Sequence, residues 1–377
     1  MSDYLNLVDF LEPVSTAQLS DDQGYREGQI GKTIFVFEEQ FPDLDGAQVV
    51  LLGCGESRGA GQRALSTAPD AVRKAFYNLY YWHTDVTLAD IGNVKAGNSL
   101  QDTLAALKVV LRELMSIGKR VVLLGGSHDL TLAQYQAFAA DEKSIEAVGV
   151  DAIVDIHIDS PRRADNFLME LLTAEPNYLK HYNHLAFQSY YVHPRMLETM
   201  DKLRFDCYRV GTVKEQLEEM EPVIRNCALM TFDISAFASA FAPASTLSPN
   251  GLNGEEACTL MQYAGMSNHL QTLGIYGFDP AKDRDDLTAQ QIAHMLWYFV
   301  DGCSRGNREV SLTDREWFNE FHTIFAEVDT VFLQSKRSGR WWMQLPDQQF
   351  VACSYKDYQQ ASNNDIPERW LRAQERP

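Results

Sequence analysis

With 377 residues, 45% of them hydrophobic, the chain can bury a sizeable core in one large domain or two. Its 33 Lys and Arg against 52 Asp and Glu leave a net charge of -19, which repels phosphate backbones and anionic lipid and argues against nucleic acid as a partner. Six cysteines without CxxC spacing suggest neither a zinc ribbon nor a redox pair, and no run of about 18 apolar residues marks a membrane span. A soluble, cytoplasmic protein is expected, with no membrane partner.

In chain order, residues 1–47 are acidic, lack a strong period and read as an N-terminal elaboration. The run AQVVLLGCGE then predicts a buried parallel strand ending in glycine, followed by the loop SRGAGQRALSTAP and a helix led by Pro69 and Asp70. LADIGNV is a second strand candidate, and LQDTLAALKVVLRELMSIG predicts a helix over 100–118 closed by Gly118. RVVLLGGSHDLT is a strand leading into a helix through Ala139. The stretches AVGVDAIVDIHIDS, NHLAFQSYY, FDCYRVGT, CALMTFDISAF and TLGIYGFDP supply five more strands, with helices between most of them. Such alternation implies a parallel sheet covered on both faces. The expected organisation is a core over 48–303 with a C-terminal appendage over 304–377, in which a hairpin turns at Ser338-Gly339 and an irregular wrapping follows. Trp341 and Trp342 in that hairpin can cover a helix or an oligomer interface.

Ligands bind at the carboxyl ends of parallel strands. Four apolar runs end there in polar groups: His128, the set Asp155, His157 and Asp159, then Asp233, and finally Asp279. Alternation along a strand sends Asp155, His157 and Asp159 to one side. A lone strand-end His or Asp is commonly a cap or an otherwise satisfied polar group. Burying several carboxylates together is costly without a cation, however, and carboxylates with imidazoles suit Mn, Zn, Fe or Ni. Asp155 and Asp233 are the candidates to bridge two ions.

The segments GGSHDLT, VDIHIDS and TFDISAFASAFAPAS resemble, in order and separation, the signatures GG(D/G/E)H, DAHxD and SxDxDxxDPxxAP of the ureohydrolases: arginase, agmatinase and formimidoylglutamase. STAPDAVRKAF and GFDPAKDRDDLTAQQIAHML resemble two further family segments, and the likeness spans residues 48–303, closest in layout to formimidoylglutamase. The resemblance implies a three-layer α/β/α fold with an eight-stranded, mostly parallel sheet and a binuclear manganese site, of which Ser235, in place of a carboxylate ligand, leaves one ion expected and two possible. It also implies hydrolysis of a linear amidine or guanidino C–N bond by a metal-activated hydroxide, in a homo-oligomer. His128, Asp155, Asp159 and Asp233 match the first ion's ligands; Asp155, His157 and Asp233 match three of the second's. His128 and Asp159 then take catalytic roles.

Three departures stand out. Ser235 replaces the second Asp of SxDxD, leaving a weak ligand. Gly277 occupies the place of a glutamate that holds the substrate's amidine, and Asp279, two residues on, is its expected catalytic substitute. Asn166 and Phe167 alone match a substrate-loop segment of formimidoylglutamases, which makes Asn166 a candidate substrate contact. Two alternatives to the amidine hydrolase therefore stay open: a catalytically impaired member acting as a structural or regulatory protein, and a single-metal amide or amidine hydrolase.

Overall fold

The computed structural model describes residues 7–20 and 24–375. Its centre is a parallel sheet of eight strands: β1 (Val49–Cys54), β2 (Leu88–Val94), β3 (Arg120–Gly125), β4 (Ile145–Val150), β5 (Leu179–Phe187), β6 (Asp206–Arg209), β7 (Leu229–Asp233) and β8 (Thr272–Tyr276). They lie in the order β2-β1-β3-β8-β7-β4-β5-β6, and every neighbouring pair is parallel. The N-terminal segment adds two strands of two residues each on β2, Leu11–Glu12 antiparallel and Phe35–Val36 parallel, so among the described residues the sheet has ten strands where eight were expected. The additions are possible because β2 would otherwise be an open edge, with unpaired backbone groups for the chain to satisfy.

The strands are apolar throughout because both faces are covered. Val49, Leu51, Val122 and Leu124 pack towards α1 (Ala68–Tyr77), α4 (Gly254–Met266) and α5 (Leu287–Gly306). The alternate residues Val50, Leu52, Val121 and Leu123 pack towards α2 (Leu100–Ser116) and α3 (Thr131–Ala139). This is the expected α/β/α layering. Helix α2 starts at a capping box, Ser99 with Asp102, and is followed by Gly118 at φ 75°. Among the described residues no helix is long and apolar enough to cross a membrane.

Past α5 lies a four-stranded antiparallel sheet: β9 (Phe318–Phe325), β10 (Val328–Ser335), β11 (Trp341–Gln344) and β12 (Phe350–Cys353), paired in sequence order. The β10–β11 turn holds Gly339 at φ 74°, with its N–H donated to the Ser335 carbonyl, as the Ser-Gly pair predicts. The expected irregular wrapping is instead β12 followed by helices over Tyr355–Ser362 and Glu368–Glu375. Their local signals are polar, and they become helical by burying Tyr358, Ala361 and Trp370 against the small sheet. Trp341 packs in this second core, stacked on Phe321 and Tyr358, while Trp342 meets Phe318 and lies under the Arg225 guanidinium at 4.6 Å. Both tryptophans therefore pack within the chain.

One buried ion pair ties α1 to β2. The Arg73 guanidinium donates to both Asp90 oxygens at 2.8 and 2.9 Å, with both side chains fully buried, and Tyr77 donates to the same carboxylate at 2.8 Å. Removing one partner of such a pair strands a charge in the interior. Arg73→Ala is expected to lower unfolding stability by about 3–5 kcal/mol, measured by urea denaturation; a loss below about 1 kcal/mol would contradict this role for the pair.

Candidate metal centre

The carboxyl ends of β3, β4 and β7 meet at one point because these strands, with β8, are neighbours at the sheet's centre. After β3 the chain passes through Gly126, where a Cβ would fall 2.0 Å from the Glu56 carbonyl oxygen, and Ser127 donates its N–H to that same oxygen at 3.0 Å. This tight crossing delivers His128 at the start of a single 3-10 turn. Strand β4 ends at Val150, and the next residue, Asp151, is buried beside His128. Asp233 is the last residue of β7.

His128 Nδ1 lies 3.0 Å from Asp151 Oδ2, 3.3 Å from Asp155 Oδ2 and 3.8 Å from Asp233 Oδ2. Single donor atoms of His128, Asp151 and Asp233 all fall within 4.8 Å of one another, which suits one ion. The imidazole is oriented by Thr231 Oγ1, 3.1 Å from Nε2, and packs on Phe167 and Tyr276. Asp151 is backed by His184, whose Nε2 lies 3.2 Å from the Asp151 carbonyl oxygen. Burial pushes the His184 imidazole down to about 4, so it is neutral there.

Electrostatics dominate the cluster. Burial alone would lower His128, but the close approach of the Asp151 and Asp155 carboxylates and the charges of Asp151 and Asp233 outweigh this and raise it to about 10. Burial and the Asp151 charge raise Asp155 well above the carboxylate range and Asp233 to about 6. Burial also works against ionised Asp151, yet the close His128 imidazole and its charge hold it below its ordinary value. The buried Asp151 and the mostly buried Asp155 and Asp233 thus share one protonated imidazole, an excess of carboxylates that a divalent cation would neutralise.

Of the residues expected from sequence, His128, Asp155 and Asp233 come together and His157, Asp159 and Asp279 do not. The strand stops at Val150, so 151–160 is an irregular segment and the alternation argued for Asp155, His157 and Asp159 does not apply. His157 N–H donates to the Asp165 carbonyl, and its ring lies outside the cluster, on the wall of a neighbouring cavity. Asp159 sits exposed in a turn on that same wall. Asp279 caps the turn Pro280–Lys282, accepting from Ala281 N–H at 3.1 Å and lying 3.4 Å from Lys282 Nζ. It cannot follow strand alternation because Gly277 takes φ 80° and redirects the chain. A Cβ on Gly277 would lie 2.6 Å from Asp233 Oδ2, so no glutamate fits there without displacing the Asp233 carboxylate. Asn166 precedes the helix Phe167–Leu172 with a buried Oδ1 that lacks a hydrogen-bond partner among the described residues; it does not line the cavity.

Ser235 does reach the cluster, as a hydrogen-bonding partner. Its hydroxyl donates to Asp151 Oδ1 at 2.5 Å and accepts from Ala152 N–H, and its own N–H donates to Asp233 Oδ1 at 2.8 Å.

Asp151 is the residue that the sequence reading missed. The signal was present: residues 151–155 read Asp-Ala-Ile-Val-Asp, which fits the signature DAHxD four residues earlier than VDIHIDS, with Ile153 in the histidine's place. In that register the resemblance would give a first ion His128, Asp151, Asp155 and Asp233, and a second Asp151, Asp233 and the positions of Ile153 and Ser235, neither of which offers an imidazole or a carboxylate. The cavity, of about 510 Å³, opens beside the cluster; Ile153 and Asp155 line it together with Asp159, Arg162 and Asp165.

The model of the arginase family matches residues 47–301, more than half of the chain. Formimidoylglutamase of Streptococcus gordonii is 23% identical over 283 residues, covering 68% of this chain and 85% of that protein. Among solved structures, Trypanosoma cruzi formiminoglutamase with Mn2+ aligns with a TM-score of 0.63 at 18% identity, over 70% of this chain and 99% of that one. Formimidoylglutamase of Bacillus subtilis aligns with a TM-score of 0.65 at 16% identity, over 75% and 93%. With the matched span, the strand-end cluster and the layered sheet in agreement, the chain belongs to the arginase family.

Proposed function

We propose that this protein hydrolyses a C–N bond of a small linear amidine with one divalent cation of the manganese kind, held by His128, Asp151, Asp155 and Asp233. The observation that carries this reading is the asymmetry of the cluster: one complete ligand set, with Ile153 and Ser235 in place of two ligands of the other. The donor set fits such an ion. Three carboxylates and one imidazole are mostly buried, and His128 Nδ1, aimed among the carboxylates, is a buried nitrogen without a well-formed hydrogen bond among the described residues. Relatives of similar layout act on formimidoyl groups by name, and one holds Mn2+.

A cation bound there would polarise the scissile group and lower the pKa of water. The chain's own residues do the rest. Thr231 and the rings of Phe167 and Tyr276 fix the His128 ring, and His184 fixes the backbone of Asp151. Asp155 is the ligand that also lines the cavity, and its Oδ1 has no partner among the described residues. It is placed to accept a hydrogen bond from an amidine N–H or to take up a proton. Ile153 gives the adjoining wall an apolar surface that limits water.

A second reading, binding without turnover, is favoured by Gly277, which leaves the cationic amidine without its family partner. The two separate on one assay: the manganese-loaded protein releases formamide, urea or ammonia from an amidine panel under the first reading and releases none under the second.

Three outcomes are expected. Elemental analysis after dialysis against Mn2+ should give one ion per chain, and Ile153→His with Ser235→Asp should raise this to two; two ions in the unmodified protein would overturn the one-ion reading. Mn2+ must displace the protons of His128 and Asp155 and compete with a proton on Asp233, whose carboxyl is raised to about 6. Affinity should therefore climb from pH 5 to 8 with net proton release near pH 7, read by calorimetry in buffers of different ionisation enthalpy; pH-independent binding would contradict the ligand set. In the metal-free protein, by the same linkage, the stability from Asp233 is complete below its unfolded pKa and lost as pH rises through about 6, and that from His128 is lost as pH rises towards about 10. Finally, Gly277→Glu should destabilise the fold by about 1–3 kcal/mol and give no gain in amidine turnover, because the position needs a left-handed backbone; thermal melting and the amidine assay check both parts.

A further inference from the structure

The cavity beside the cluster carries a charge pattern that bears on which amidine it takes. Three acidic side chains line it, Asp155 at the metal-ligand end and Asp159 and Asp165 on the wall. The one Lys or Arg on that wall is Arg162, and its Nε and Nη2 are both spent on Asp165 Oδ2, at 2.9 and 2.8 Å. Arg163, next in the chain, is directed to Glu170 at 2.6 Å and does not line the cavity. Asp159 is therefore left as the uncompensated charge of the wall: it is exposed and makes no ion pair or hydrogen bond with any described residue. The -19 charge of the whole chain acts in the same direction.

We propose that Asp159 is a specificity-determining residue that selects amidines whose far end is cationic, and that the cavity disfavours carboxylate-ended amidines such as formimidoylglutamate. The inference rests on the amidine reading of the site and adds to it the charge of the substrate's tail. A carboxylate tail needs a free cation to receive it, and Arg162 is the lining guanidinium, already held by Asp165. An ammonium tail meets Asp159 directly. Because Asp159 is solvated, a single pair there contributes little. Attraction of one tail and repulsion of the other together amount to roughly tenfold in affinity at low salt, with less at high salt.

The test uses the full chain loaded with Mn2+ and two matched probes, 4-guanidinobutylamine and 4-guanidinobutanoate, with binding measured by calorimetry and turnover assayed separately. The amine is expected to bind about tenfold more tightly than the carboxylate, and the gap should narrow in salt. Asp159→Lys, in an exposed turn, should fold normally and reverse the preference. Arg162→Ala should widen it by freeing Asp165. Equal or tighter binding of the carboxylate, a ratio unmoved by Asp159→Lys, or no binding of either probe at millimolar concentration would overturn the proposal. If the preference appears in binding while neither probe nor any member of the amidine panel is turned over, the hydrolase reading fails and the charge selection stands. If both are hydrolysed with the carboxylate preferred, the hydrolase reading stands and the charge selection fails.

Discussion

The mutual repulsion of Asp151, Asp155 and Asp233 around one imidazole is the constraint on which the centre of the molecule depends. Like charges a few ångströms apart in a buried site raise each other's pKa, and here two of the three are raised while the third is held down by His128. The protonated imidazole at 3.0–3.8 Å is a partial remedy. A divalent cation held there by these residues would supply twice the charge, and His128 would then serve as a neutral ligand.

The rest of the fold keeps these groups from relaxing apart. Parallel strands β3, β4 and β7 end level with one another, and their backbones are locked by β8 between β3 and β7. Side chains just behind the cluster take up the remaining freedom: Thr231 on the imidazole, His184 on the Asp151 carbonyl, Phe167 and Tyr276 on the ring. Polar groups held this way have little room to turn towards water, which is how a fold keeps a charged site formed.

Ser235 and Ile153 make the centre one-sided. Ser235 donates to Asp151 and to Asp233, supplying neutral hydrogen bonds on the flank where the family signature has a carboxylate. Ile153 presents an apolar side chain to the cavity where the signature has an imidazole. The Gly277 backbone then closes in on Asp233 so tightly that a side chain there is excluded. Three departures that look independent in the chain therefore adjoin the same pair of aspartates, Asp151 and Asp233.

The order of strands and helices, the buried character of the sheet, and the convergence of His128, Asp155 and Asp233 were all legible in the sequence, because apolar runs ending in polar residues carry that information locally. Where β4 stops was not. Ala152, Ile153, Val154 and Ile156 continue the apolar strand pattern, and only the packed structure shows Val150 as the last paired residue and Asp151 as the carboxylate beside His128. That shift of four residues moved His157 and Asp159 out of the centre and onto the cavity wall. Likewise, alternation from Gly277 to Asp279 held on paper but fails at a left-handed glycine. The C-terminal helices were unreadable for a different reason: their apolar residues are few, and they fold against a sheet whose strands lie up to fifty residues earlier in the chain. Local pattern determined which elements form and which residue types they carry to the strand ends; the tertiary structure decided where each strand ends, and so which carboxylates meet, because hydrogen-bond pairing with neighbouring strands is not encoded in any one segment.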